Sequence, residues 1–192
     1  MVPCLLPQQA DVLGGLTFRE GQHVVSAMAG VPVARLLALV TPADGVARSV
    51  PLPAVASRGS VTPVHPPTAA ATALFDQLGG TLPVADELAY ESLSAASATV
   101  AAHMDQLGTI AGWIAAHGID EAQARTYVAD LFAALAPELR APGVDFATLA
   151  AAHSTPGGLN EQFARHLASA GMADVVRTGL DEVLARIAPA QD

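Results

Sequence analysis

The sequence predicts an α/β region followed by an all-helical one, with the change near residue 86. Three observations carry this. Residues 1–86 hold short apolar runs closed by proline or glycine, the pattern of buried strands. Residues 87–192 are rich in alanine, with apolar residues at helical spacing. Across the chain 52 % of residues are hydrophobic and 14 % charged, which excludes disorder and can supply a core.

The elements follow in order. Residues 2–6 and 23–29 are apolar runs ended by Pro7 and Gly30, read as strands, and residues 8–16 between them suit a short helix. Residues 31–40 read as a second helix, with Pro32 tolerated in its first turn. Residues 45–55 and 59–67 are further strand candidates whose prolines suit edges or bends. Thr68 caps a helix through Leu78, which Gly79 and Gly80 stop. Residues 81–86 form the last strand. Residues 87–117 then make one long helix, or two broken near Gly108. Asp120 N-caps a helix over 120–139, and residues 146–152, 160–170 and 172–188 add three more. The expected domains are 1–86 and 87–192.

Composition narrows the chemistry. A net charge of −9 argues against nucleic acid, because phosphate binding needs a basic patch. No apolar run reaches the length of a membrane span, and the first residues lack a basic leader, so the cytoplasm is the expected compartment. The lone Cys4, placed in the first strand run, rules out a disulfide framework. The histidines show no ligand spacing, so no metal site is expected. All nine basic residues are arginine. Without lysine there is no Schiff base, no covalent pyridoxal phosphate and no Walker-type phosphate loop. No two glycines bracket a single residue, so the dinucleotide fingerprint G-x-G-x-x-G is missing from this sequence.

Several stretches carry a family resemblance. "HSTPGGLNEQFARHLASAGMADVVRTGLDEVLARI" (153–187) resembles the C-terminal signature of the pyrroline-5-carboxylate reductases, an imine-reductase-like family. There a Thr-Ser-Pro-Gly-Gly-Thr-Thr turn opens a helix; here Ser154 to Gly158 keep the turn, and Leu159 and Asn160 stand in place of the two threonines. "YESLSAASATVAAHM" (90–104) resembles the family's dimerisation helix, with Glu91, Ser94, Ser97 and Thr99 on polar positions and His103 on its tyrosine. Ala98, Val100 and Ala101 replace its glycines and proline. "SAMAGVPVARL" (26–36) and "RSVPLPA" (48–54) resemble two further segments, with Leu52 replacing an asparagine. The resemblance implies a truncated Rossmann-like sheet followed by a helical dimerisation domain, and hence a homodimer. It also implies that this sequence begins after the family's glycine-rich NAD(P)-binding unit.

The site candidates combine both readings. Gly157 and Gly158 precede a helix start, where free amides favour an anion. The resemblance makes this turn, with Thr155 and Asn160, a holder of the substrate carboxylate. The ordinary alternative is a Pro-Gly-Gly turn with Asn160 as N-cap. Tyr90, Ser94 and Ser97 share one face of the long helix, and Ser92, Thr99 and His103 another. Such hydroxyls can bond a substrate or simply let helices approach closely. His103 is the first acid–base candidate and His153 the second, since imidazole changes charge near neutrality. Trp113 and Tyr127 read as packing residues.

Three functions stay open. The first is a cofactor-independent acid–base enzyme, a cyclase or isomerase acting on a small imine or carbonyl compound, with no cofactor. The second is an NAD(P)H-dependent imine reductase whose nucleotide-binding half is missing here or supplied in trans. The third is a non-catalytic dimer.

Overall fold

The computed structural model describes residues 1–188, which fall into two compact units. Among the described residues, one comprises 1–98 with 179–188, the other 99–178.

The first unit is built on a four-stranded sheet of β1 (His23–Ser26), β2 (Gly45–Ser49), β3 (Thr62–His65) and β4 (Thr81–Pro83), in that order. β1 and β2 run parallel, β2 and β3 antiparallel, and β3 and β4 parallel. Alternation along the strands sends side chains to opposite faces. Val24 and Val46 join Ala10 and Leu13 of a 3-10 helix (Pro7–Gly15) and Leu36 and Val40 of α1 (Val33–Val40). Val25, Ala47 and Val64 pack on Ala71 and Phe75 of α2 (Ala69–Asp76), so both faces are covered. The Thr68 side chain accepts from the Ala71 amide and caps α2 as expected. α3 (Glu87–Ser97) closes the run.

Every observed strand is shorter than the run expected for it, and two of the expectations yield to proline. Residues 2–6 form no strand: the Met1 and Pro3 carbonyls accept from the Val25 and Ala27 amides at 2.9 and 3.0 Å, but Pro3 has no N–H to continue a ladder. Cys4 is therefore exposed and outside any strand. Likewise β2 stops at Ser49, and Pro53 opens a second 3-10 helix (Pro53–Ser57) in place of the strand expected to residue 55.

The second unit is helical: α4 (Thr99–Ala116), α5 (Glu121–Ala133), α6 (Ala136–Leu139), α7 (Phe146–Ala152) and α8 (Leu159–Ser169); α9 (Met172–Ile187) runs from it into the first unit's sequence. The single helix expected over 87–117, with a break near Gly108 as the alternative, is broken instead at Ala98, and α4 passes through Gly108. At Ala98 the last turn of α3 tightens, with the Ala98 amide bonding back to Ala95 and Ser97 Oγ donating to the Ser94 carbonyl. The helix expected over 120–139 is split because Pro137 cannot donate to, and clashes with, the carbonyl of Ala133. Asp120 caps α5 through the Ala122 and Gln123 amides. Only Ala124 and Val128 are buried in this unit, and Trp113 and Tyr127, read as packing residues, are 64 % and 61 % exposed. No helix among the described residues is long and apolar enough to cross a membrane.

Candidate functional site

In the helical unit α7 ends at Ala152, and the chain turns through His153 and the Pro-Gly-Gly sequence into α8. The His153 ring lies against α6, with Nε2 2.7 Å from a carboxylate oxygen of Glu138. Asn160 Nδ2 donates to the His153 carbonyl at 2.8 Å and fixes the backbone of that residue. Beside this pair is a cavity of about 210 Å³ lined by Leu135, Leu139, Phe146, Leu149 and Ala150. An imidazole whose one nitrogen is held by a carboxylate keeps the other free to take or give a proton. His153, the second acid–base candidate, thus has an orienting partner and an adjacent apolar cavity.

The turn itself is internally bonded. The Gly157 amide donates to the Glu161 carboxylate at 2.7 Å, and the Gly158 amide donates to the Thr155 carbonyl at 2.8 Å. Gly157 adopts a positive φ of 73°, and a Cβ on Gly158 would lie 2.8 Å from the Thr155 carbonyl oxygen, so both positions call for glycine. Glu161 also pairs with Arg165 at 3.0 Å. His103 stands elsewhere in the unit, exposed on α4 with its ring edge-on to Phe132 at 5.9 Å. No hydrogen bond, ion pair or ring contact joins His103 to the 153–160 turn among the described residues. Thr99 opens α4.

In the first unit Ser94 and Ser97 spend their hydroxyls on their own helix, bonding the carbonyls of Tyr90 and Ser94. Next to them lies a cluster that the sequence patterns did not assemble. Arg48, near the end of β2, is fully buried and donates from Nη1 to Glu87 at 2.9 Å. Its Nη2 is 2.6 Å from a Glu91 oxygen, an ion pair without hydrogen-bond alignment. The guanidinium lies 4.6 Å from the centre of the Tyr90 ring, and His65 of β3 stands 5.8 Å from that ring. Burial pushes the Tyr90 hydroxyl up to about 12, with Arg48 opposing the rise. The signal was there: carboxylates at 87 and 91, one helical turn apart, need a cation, and an arginine interrupts an apolar strand at 48.

The strand–turn–helix from β1 to α1 is the natural place for a pyrophosphate, yet the Val33 amide at its helix start donates to the Glu87 carboxylate at 3.1 Å. Gly14 and Gly15 end a helix and would admit a Cβ without clash. No group of His, Cys, Asp and Glu suited to a metal occurs among the described residues.

The fold is that of the pyrroline-5-carboxylate reductases. The enzyme of Streptococcus pyogenes matches over 97 % of this chain and 74 % of its own, at 21 % identity and a TM-score of 0.83. That of Coxiella burnetii matches over 97 % of this chain and 73 % of its own, at 17 % identity and a TM-score of 0.79. The Plasmodium falciparum pyrroline carboxylate reductase, solved with NADP bound, matches over 96 % of this chain and 78 % of its own, at 12 % identity and a TM-score of 0.81. No family model matches the sequence, and no curated protein is similar to it in sequence.

Proposed function

We propose that this chain is the substrate side of an imine-reductase-type enzyme, moving a proton on a small imine or carbonyl compound while polypeptide outside residues 1–192 holds the hydride donor. The observation that carries the reading is the His153–Glu138 pair, 2.7 Å apart beside an apolar cavity, on a fold shared with pyrroline-5-carboxylate reductases. Glu138 orients the His153 ring, Asn160 fixes its backbone, and Thr155, Gly157 and Gly158 shape the turn that presents it. His103, with Thr99 on the same helix and Ser94 and Ser97 on α3, is the second group to test, in an assembly of two copies. Cytoplasm is the expected compartment.

A second reading, a nucleotide-free cyclase or isomerase, is favoured by the occupied start of α1, where Glu87 takes the amide a phosphate would need. Both readings have His153 protonate the imine nitrogen, and the iminium so formed loses a proton from the neighbouring carbon more readily. With 1-pyrroline in D₂O, the chain should therefore speed the exchange of deuterium into that carbon. His153→Phe should slow this by about 10²–10⁴, the usual contribution of a general acid or base. Unchanged exchange in His153→Phe removes His153 from the mechanism, and His103→Phe then decides between the two histidines. Calorimetry of NADPH on the chain alone should give no micromolar binding; a micromolar constant would put the nucleotide site inside residues 1–192.

A further inference from the structure

The cavity beside His153 has a length and a lining that limit what fits it. Phe146, Leu149 and His153 fall at i, i+3 and i+7, along one face of α7 and its C-terminal cap. Leu135, Glu138 and Leu139, from α6 and its N-cap, supply the other wall. The two polar side chains of the lining, Glu138 and His153, meet each other at 2.7 Å. A ligand therefore finds one imidazole nitrogen and otherwise hydrocarbon. Seven residues separate Phe146 from His153, about 10 Å along a helix axis. A five-membered ring with bonds of about 1.5 Å is roughly 4 Å across and reaches less than halfway. The volume agrees with the length. About 210 Å³ holds about seven water-sized shares of roughly 30 Å³, and the five ring atoms take about five of them.

Phe146 stands at the far end of this lining with 77 % of its surface exposed. So exposed an aromatic ring beside a cavity gains apolar burial when a ligand covers it. The Asp145 carboxylate accepts from the Thr148 amide at 2.7 Å and caps α7, which holds Phe146 on an ordered first turn. We infer that Phe146 sets specificity at this site, and that the chain takes a cyclic imine carrying an apolar substituent of about three carbons, its nitrogen at His153 and its substituent against Phe146. The inference rests on the proposed site at His153 and names its substrate class.

1-Pyrroline and 2-propyl-1-pyrroline share the ring and differ by the substituent, which makes them suitable probes. Deuterium exchange at the ring carbon next to the imine would be followed for both with the full chain. The wild type should show a KM at least about tenfold lower for the propyl compound, the scale of two or three buried methylene groups. Phe146→Ala should erase most of that preference, through KM rather than kcat. Phe146→Leu keeps an apolar side chain at the cavity end and should retain part of it. Circular dichroism unchanged in both variants separates a lost wall from a lost fold. Equal KM values in the wild type, with exchange still lost in His153→Phe, overturn the inference and leave the proposed site standing. A preference that survives undiminished in Phe146→Ala also overturns it, because the substituent then lies elsewhere. Exchange of neither imine, or exchange of both unaffected by His153→Phe, overturns the site reading and the inference with it.

Discussion

The two units of this chain differ in what they bury: both carry ion pairs at the surface, Arg35–Asp11 in the first among them, but among the described residues only the first encloses one. In the first, the sheet is covered on both faces, and Arg48 and Glu91 are fully buried inside it. In the second, the pairs His153–Glu138, Arg165–Glu161 and Arg177–Asp174 lie at the surface, and only Ala124 and Val128 are buried. Both units expose some large apolar side chains, but the most exposed are in the second, among them Phe146 at 77 %, Leu159 at 85 % and Val175 at 70 %. The contrast teaches that the sheet unit carries its own core, whereas the helical unit keeps only Ala124 and Val128 fully buried and leaves many large apolar side chains at its surface. Exposed apolar area on this scale is the usual mark of a protein–protein contact.

The largest effect should come from breaking that contact. If a second copy covers the helical unit, Phe163→Glu with Val175→Glu places two charges in an apolar interface. Losses at central interface residues reach about 2 kcal/mol or more each, so the dimer should weaken by a factor of about 10³. Sedimentation at ten to a hundred micromolar (about the range a stable dimer easily spans) would read this. A wild-type chain that sediments as a monomer there ends the proposal of a homodimer.

The next effect sharpens the comparison of charges. Arg48→Met leaves Glu91 buried with no cation, and removal of one member of a buried pair costs about 3–5 kcal/mol. Arg165→Met breaks the Glu161 pair at the surface, where side chains are 72 % and 41 % exposed and the cost is about 0–1 kcal/mol. Urea unfolding should separate the two variants widely. The double change Arg48→Met with Glu91→Met should recover most of the loss, because the remaining buried group is then apolar. Equal midpoints for Arg48→Met and Arg165→Met would mean that the buried cluster contributes nothing to stability.

Much of this organisation was legible in the sequence where the signal is local. The caps at Thr68 and Asp120 stand where short polar residues precede helical spacing, and both bond as expected. The change from sheet to helices near residue 86 is equally local, since it rests on proline and alanine content. The break at Ala98 was not legible, because no proline or glycine marks it; Gly108 was the visible suspect, yet α4 passes through it unbroken. The Arg48 cluster was missed for a different reason. It joins β2, β3 and α3 across about forty residues of sequence, and only the β2–β3 pairing sets Arg48 opposite His65. His153 could be named as a candidate, but its partner Glu138 lies fifteen residues away on another helix. Pairings of that kind are properties of packing, which periodicity does not encode.

The smallest effect lies at high pH and again belongs to the sheet unit. The Tyr90 hydroxyl is fully buried without an aligned partner, and burial raises it from 10.0 to about 12. A tyrosine is neutral when protonated, so a raised value means that the folded chain holds this proton more tightly than the unfolded chain. The corresponding stability is fully present below pH 10 and is lost as the pH rises through 10 towards 12. A rise of that size corresponds to at most about 3 kcal/mol over the window, and none of the loss is visible at neutrality. Tyr90→Phe keeps the ring under Arg48 and removes both the titrating group and the unpartnered hydroxyl. At pH 7 it should change stability by less than about 1 kcal/mol, because no aligned hydrogen bond is given up. Between pH 10 and 12 it should unfold at a higher urea concentration than the wild type. Parallel stability curves for the two proteins across that window would show that the Tyr90 hydroxyl reaches solvent before it ionises.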